Sequence, residues 1–230
     1  GMPDYFLRQV AFSVRFLLWS VTHKKMDAHT PSVMSLVIGF SGPGGAAIAG
    51  DLRELLLWGD DDRTRNLEKA LYSGEIITDQ ELGERASDLG VSLSVRDTKE
   101  KVREREGVLI GEVSESDGGA VRKRRLYLVP GEYVIADIEG PRFYIRSRGK
   151  KSSFIVLGNE VTKRIAYEAI EANWKNGTFE DAVKVIIIAM ETAASRTASV
   201  SRKYHILQTR REAELSGLID QDRLEIETGS

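Results

Sequence analysis

Hydrophobic and polar positions divide the chain into stretches of different period. Leu36-Val-Ile-Gly-Phe40 and Ala46-Ala-Ile-Ala49 are two short apolar runs on either side of Gly42-Pro-Gly-Gly45, the pattern of two strands joined by a turn. Alanine and leucine between Ala46 and Trp58 also favour helix by local propensity, so the second arm carries two readings. Arg63 to Leu89 is charged and helical in spacing, broken near Ser73-Gly74, with Thr78-Asp-Gln-Glu81 in the form of a capping box. Strand-like runs follow at Val91–Arg96, Val108–Val113, Arg125–Val129, Tyr133–Ile138, Phe143–Arg146 and Ser153–Leu157. Gly118-Gly119, Pro130-Gly131 and Gly140-Pro141 punctuate them. Val161–Trp174 places Ile165, Ala169 and Ile170 at helical spacing. Val183 to Met190, within Phe179–Ala194, is apolar on nearly every side apart from Lys184, which predicts a helix buried between layers. Tyr204–Leu207 reads as a last strand and residues 209–230 as a charged, helical or frayed tail.

This order is a hairpin, inserted helices, several strands, two consecutive helices and a strand. It lacks the alternation of a parallel doubly wound sheet and suits an antiparallel α+β sandwich.

Residues 1–33 differ from the rest. Gly1 before Met2 reads as a scar of tag cleavage. Phe6 to Val21 is apolar but interrupted by Arg8 and Arg15, too short and too charged to span a membrane. A start codon assigned too early, a removable propeptide and a helical extension are the three readings of this leader.

Composition narrows the classes. An apolar fraction of 41% with 30% charged residues suits a chain that buries a core, and a net charge of -2 gives no global pull toward nucleic acid or membrane. Arg122-Lys-Arg-Arg125 and Arg146–Lys151 lie beside strand-like sequence and read as solvated edges and turns. There is no cysteine, so neither disulfides nor thiolate metal sites arise. His23, His29 and His205 are scattered. The expectation is a cytoplasmic protein without metal or cofactor.

Two segments propose chemistry. Ser35 directly follows Met34, and removal of that methionine leaves a serine whose own α-amine serves as base for its hydroxyl. Separately, Gly42-Pro-Gly44-Gly-Ala-Ala47 fits G-x-G-x-x-A after a strand, with Asp60–Asp62 near the acidic spacing of a dinucleotide site. No Gly-Lys-Ser/Thr follows, which excludes a P-loop.

Asp51 lies sixteen positions after Ser35, with Arg53 two further on. Glu139-Gly-Pro-Arg-Phe-Tyr144, Gly149, Ile155-Val-Leu-Gly158 and Asn176-Gly-Thr-Phe-Glu-Asp-Ala182 then follow in order. In these features residues 34–207 resemble a proteasome β-type subunit of the N-terminal nucleophile (Ntn) hydrolase class. The chain also resembles an uncharacterised protein family of methanogenic archaea whose members begin near Met34.

The proteasome-like resemblance implies a four-layer αββα antiparallel sandwich over residues 34–208, with a helical insertion at 63–90 and a tail from 209. It implies Ser35 as nucleophile, Asp51 to orient and polarise the site, and Lys101, preferred over Lys99 and Lys69, to tune the nucleophile. The backbone N–H of Gly111 would be the oxyanion donor, and Asn159 would stand near the terminal amine, with Arg53, Lys99 and Ser199 supporting. The implied substrate is a peptide or small amide, and the implied assembly a homo-oligomer. The chain departs from that pattern in having Ser for the usual Thr, the Arg63–Leu89 insertion, and Asn159-Glu160 in place of Ser-Gly. Ser195-Arg-Thr-Ala-Ser199-Val-Ser201 replaces an acidic residue and a Ser-Gly pair; Thr197, Ser199 or Ser201 would substitute in part. A catalytically inactive, assembly-forming relative is the alternative.

Overall fold

The computed structural model describes residues 31–32, 36–117 and 120–229. Ser35, Gly118-Gly119 and nearly all of the leader therefore lie outside the described residues. The fold is mixed α/β, with antiparallel sheets and, among the described residues, five helices.

The hairpin expected around Gly42–Gly45 consists of β2 (Leu36–Gly42) and β3 (Gly45–Asp51). Alanine propensity loses in β3 because β2 and β12 (Tyr204–Thr209) pair with it on both edges, and both its faces are buried. Ser153–Gly158 (β11) completes a four-stranded sheet in the order β11-β2-β3-β12. The strand after Gly45 also removes the dinucleotide reading, since those glycines close a hairpin and open no helix.

A second sheet runs β10-β9-β8-β7-β6, from β6 (Val102–Arg105), β7 (Val108–Asp117), β8 (Ala120–Val129), β9 (Glu132–Glu139) and β10 (Arg142–Gly149). Alternating residues of β2 explain how the sheets stack. Leu36, Ile38 and Phe40 pack against Val161, Ile165, Val185 and Ile186 of the helices α3 (Glu160–Asn173) and α4 (Phe179–Arg196). Val37, with Ala46 and Ile48, packs instead on Leu109, Val113, Leu126 and Leu128 of the second sheet. The far face of that sheet, with Val108, Ile110, Tyr127 and Val134, is covered by Leu215, Leu218 and Ile219 of α5 (Leu215–Thr228). A strand covered on both faces has no polar side to show, hence the unbroken apolar run of β2. Close approach requires two glycines here. A Cβ on Gly39 would lie 2.5 Å from Leu128 Cδ1, and one on Gly111 2.6 Å from Ile48 Cδ1.

Two expectations are corrected. The helix α4 is not buried all round: Ala182, Val185, Ile186, Ala189, Met190 and Ala193 face the sheet, while Lys184 and Ile188 face solvent. The run Arg122–Arg125 is not an edge or turn either, because β8 sits between β7 and β9, and its arginines meet acids on neighbouring elements. Arg124 pairs with Asp137 at 2.7 Å and Arg125 with Glu112 at 2.5 Å.

The polypeptide between β3 and β6 builds a smaller body. Arg53–Trp58 (β4) and Ser92–Asp97 (β5) pair with each other, and Pro31–Ser32 (β1) adds to β4. Between them run α1 (Asp61–Ser73) and α2 (Asp79–Asp88). Gly74 ends α1 in the left-handed region at φ 80°, and Thr78 with Glu81 forms the expected capping box on α2. Leu55, Leu57, Leu67, Leu71, Leu82 and Val91 form its core, which Ala198 of the main body also joins.

A buried carboxylate helps to hold the tail. Asp222, 2% exposed, accepts from Arg105 at 2.9 Å, Arg125 at 2.7 Å and the Tyr127 hydroxyl at 2.7 Å. Asp222→Ala leaves those donors facing a void, and the expected loss is about 3 kcal/mol of unfolding free energy, read by urea denaturation. Acid acts in the same region. Burial pushes Glu112 and Asp137 up, but Arg125 and Lys123, and Arg124 and Arg146, outweigh it and hold both carboxyls below their ordinary range. Their contribution is complete above an unfolded-state pKa of about 4 and falls away as pH drops through the lower folded values. The urea midpoint is expected to decline below about pH 4, and less steeply in Asp137→Asn.

Candidate functional site

At Asp51-Leu52-Arg53 the chain leaves the four-stranded sheet and enters the smaller one. Leu52 is tied by its N–H to the Lys203 carbonyl at 3.1 Å, and its carbonyl accepts from the Lys99 N–H at 3.0 Å. This crossing leaves the backbone groups of Arg53 available to side chains. Its N–H donates to Asp51 Oδ2 at 2.8 Å, and its carbonyl accepts from Lys101 Nζ at 2.9 Å.

Asp51 gathers more. Its Oδ1 accepts from Lys101 Nζ at 2.7 Å and from the Leu36 N–H at 2.8 Å, while Oδ2 also accepts from the Ser201 N–H at 3.4 Å. The Leu36 N–H belongs to the peptide bond that joins Ser35 to β2, so this carboxylate fixes the link to the expected nucleophile. Both side chains are buried, Asp51 at 0% and Lys101 at 1% exposure. Burial pushes the Lys101 ammonium below the ordinary lysine range. The charge and hydrogen bond of Asp51 oppose that shift without cancelling it, and Lys99 and Arg53 add to it. At an effective dielectric near 20 such a pair gains about 4 kcal/mol, which the desolvation of two ions roughly offsets. The arrangement therefore contributes position and field more than stability.

The remaining expected residues fall at three distances from this centre. Arg53 belongs to it, and its guanidinium bonds Asp97 at 3.0 Å, the Ala198 carbonyl at 2.8 Å, and Asp79. Ser199 lies in the same 197–201 segment, fully buried, and its hydroxyl has no hydrogen-bond partner among the described residues. Asn159 caps α3 by accepting from the Thr162 N–H at 2.9 Å. It follows Gly158, which pairs with Leu36, and its buried Nδ2 has no partner among the described residues. Lys99 makes no hydrogen bond to Asp51 or Lys101 among the described residues; its ammonium makes a 3.6 Å contact with Glu54 near the surface, and its charge still acts on Lys101. Gly111 sits in the interior of β7, between Val102 and Leu126, with Val37 and Ile48 above it.

The contributions of Asp79 and Asp97 were not anticipated. They lie 26 and 44 residues from Arg53, and no local spacing announces such a contact. Asp79 in sequence reads only as a first-turn acid beside the N-cap Thr78. Ser201, weighed only as a partial substitute, supplies its backbone N–H to Asp51, a contact that residue type does not predict.

Among the described residues no group of His, Asp and Glu is arranged to hold a metal. A cleft of about 410 Å³ reaches the centre from the side of the inserted body, lined by Arg53, Asp79, Asp97, Thr197, Ala198 and Lys203. A larger cavity of about 760 Å³ lies at the hairpin end of β2, among Phe40, Trp174 and Phe179. It holds none of the charged groups described above. No helix of the described residues is long and apolar enough to cross a membrane.

With this geometry in hand, the comparisons define the class. The sequence profile described as Connectase MJ0548-like, N-terminal domain, matches residues 34–223, and the chain belongs to that family. No curated protein matches it. Among solved structures, Anbu (ancestral beta-subunit) from Yersinia bercovieri aligns over 84% of this chain and 93% of its own, at 12% identity and a TM-score of 0.34.

Replacing Lys101 by Met strands the Asp51 carboxylate on backbone donors alone. The expected cost is about 3 kcal/mol, and Asp51→Asn in the same chain is expected to recover part of it. A double-mutant cycle by urea denaturation checks this; strictly additive losses would contradict a direct pair.

Proposed function

We propose that this protein is an N-terminal serine nucleophile of proteasome-like type acting on an amide bond, built on a four-layer αββα sandwich. The observation that carries the reading is the Asp51 carboxylate, which holds at once the Lys101 ammonium and the N–H of the peptide bond leading to Ser35. A buried cation fixed beside the start of β2 is what a terminal serine needs, because it favours loss of the hydroxyl proton and stabilises developing negative charge. The Nδ2 of Asn159, at the same end of β2, and the hydroxyl of Ser199, in the segment bonded to Asp51, have no partner among the described residues and add polar groups available to substrate or to the amine.

In this reading removal of Met34 frees the Ser35 amine. The Ser35 hydroxyl oxygen attacks the amide carbonyl carbon, its proton passes to the α-amine, and the C–N bond breaks as that proton reaches the leaving nitrogen. An ester on Ser35 results. Water releases it as a carboxylic acid, while an amine releases it as a new amide. The family's name, connectase, is a reason to carry the amine outcome beside the hydrolytic one. A peptide or small amide substrate, a cytoplasmic location and a homo-oligomer belong to the same proposal. The backbone N–H of Gly111 as oxyanion donor stays part of the proposal, at a position where the lack of a side chain also permits close approach of the sheets. The second reading is an inactive assembly protein, favoured by the absence of an acid in the 195–201 segment.

Intact mass of the chain starting at Met34, with and without a β-lactone, tests this. Loss of methionine and addition of one whole lactone are expected. Ser35→Ala is expected to abolish the adduct and to shift unfolding free energy by no more than about 0.5 kcal/mol. An adduct that persists in Ser35→Ala sinks the mechanism, and clean processing with no adduct favours the assembly reading.

A further inference from the structure

We infer that the inserted body, through Asp79 and Asp97, is a positioning element for the Lys101–Asp51 pair, acting through Arg53. This rests on the nucleophile reading for its meaning but on separate geometry for its support.

Arg53 is a junction. Its backbone touches both members of the pair, as donor to Asp51 at 2.8 Å and acceptor from Lys101 at 2.9 Å. Its side chain is held from three directions. Asp97, at the end of β5, binds in a two-pronged contact at 3.0 and 3.2 Å. Asp79, in the first turn of α2, binds Nη1 and also Nη2, the latter at 3.2 Å. The carbonyl of Ala198 accepts at 2.8 Å, and Ala198 in turn donates its N–H to Ile76 just before α2. Two of these three anchors belong to the inserted body. Ser201, three residues past Ala198, closes the loop by donating its N–H to Asp51.

A guanidinium that is 5% exposed requires its counter-charges. With both carboxylates neutral it must turn toward water, and the 410 Å³ cleft lined by Arg53, Asp79 and Asp97 lies beside it. That movement pulls at Arg53 and at the Ala198–Ser201 segment, the two pieces of backbone that define where Asp51 and Lys101 sit. Lys101 then loses an acceptor for its ammonium. The groups facing Lys101 are Asp51, Lys99 and Arg53; those facing the Arg53–Asp97 contact are Asp79, Ser201 and Lys203. Asp51 is the anion that remains beside Lys101 among the groups just named, and loss of the Arg53 carbonyl acceptor and of two nearby carboxylates outweighs the departure of the Arg53 charge, so the ammonium gives up its proton more readily.

The test is the Lys101 titration, followed by the carbon-13 NMR signal of its Cε and assigned by its absence in Lys101→Met. Asp79→Asn and Asp97→Asn together are expected to lower its midpoint by roughly one pH unit. Asp79→Asn alone, at a carboxylate 61% exposed and so tolerant of change, is expected to move it in the same direction by less. Each is measured at low salt and at about 1 M, where exposed charges act over only about 3 Å. A shift that survives salt supports positioning through contact. An unchanged midpoint, or a shift that salt erases, overturns it. The titration does not require Ser35 chemistry. A lactone adduct confined to the wild-type serine together with an unmoved Lys101 would defeat the positioning role alone, and the reverse pattern would defeat the nucleophile alone.

Discussion

The carboxylate of Asp51 is the constraint on which the rest depends. It is buried at the point where the chain passes from one sheet to another, and four donors from four separate places converge on it: Leu36, Arg53, Lys101 and Ser201. A fully desolvated carboxylate is tolerable only with such company, so the start of β2, the crossing into β4, the entry to β6 and the segment after α4 must all be in place together. Electrostatics here does the work of a knot. The apolar layers bring these four pieces near one another, and the carboxylate sets their final separation.

The layers themselves follow from simple patterning. With β2 covered on both faces, alternation sends Leu36, Ile38 and Phe40 toward the helices and Val37 toward the opposite sheet. On the far side, Asp222 does for α5 what Asp51 does for the centre, since one acid collects two arginines and a tyrosine that the sheet has already buried. Both acids hold backbone elements that apolar packing alone would leave free to slide.

Most of the element order was legible. The hairpin, the break at Gly74, the capping box at Thr78 and the two consecutive helices each rest on a local rule, and the structure shows them. Asp51, Arg53 and Lys101 were legible through resemblance, and they do meet. What could not be read were pairings that no period encodes. β8 looked like an edge because its arginines were seen without Glu112, Asp137 and Asp222, which come from other elements. Alanine in β3 left helix open beside the hairpin reading, and its two neighbours in the sheet decide for the strand. Asp79 and Asp97 carried no functional reading in the sequence, because only the folded chain brings them to Arg53.

Gly39 and Gly111 carry a consequence of another kind. Each stands where a side chain from the opposite sheet already occupies the space, Leu128 in one case and Ile48 with Val37 in the other. Volume between the sheets at these places is shared between facing strands: a methyl group gained on one has to push aside a side-chain end on the other. A change at position 39 is therefore felt at 128, and one at 111 is felt at 48.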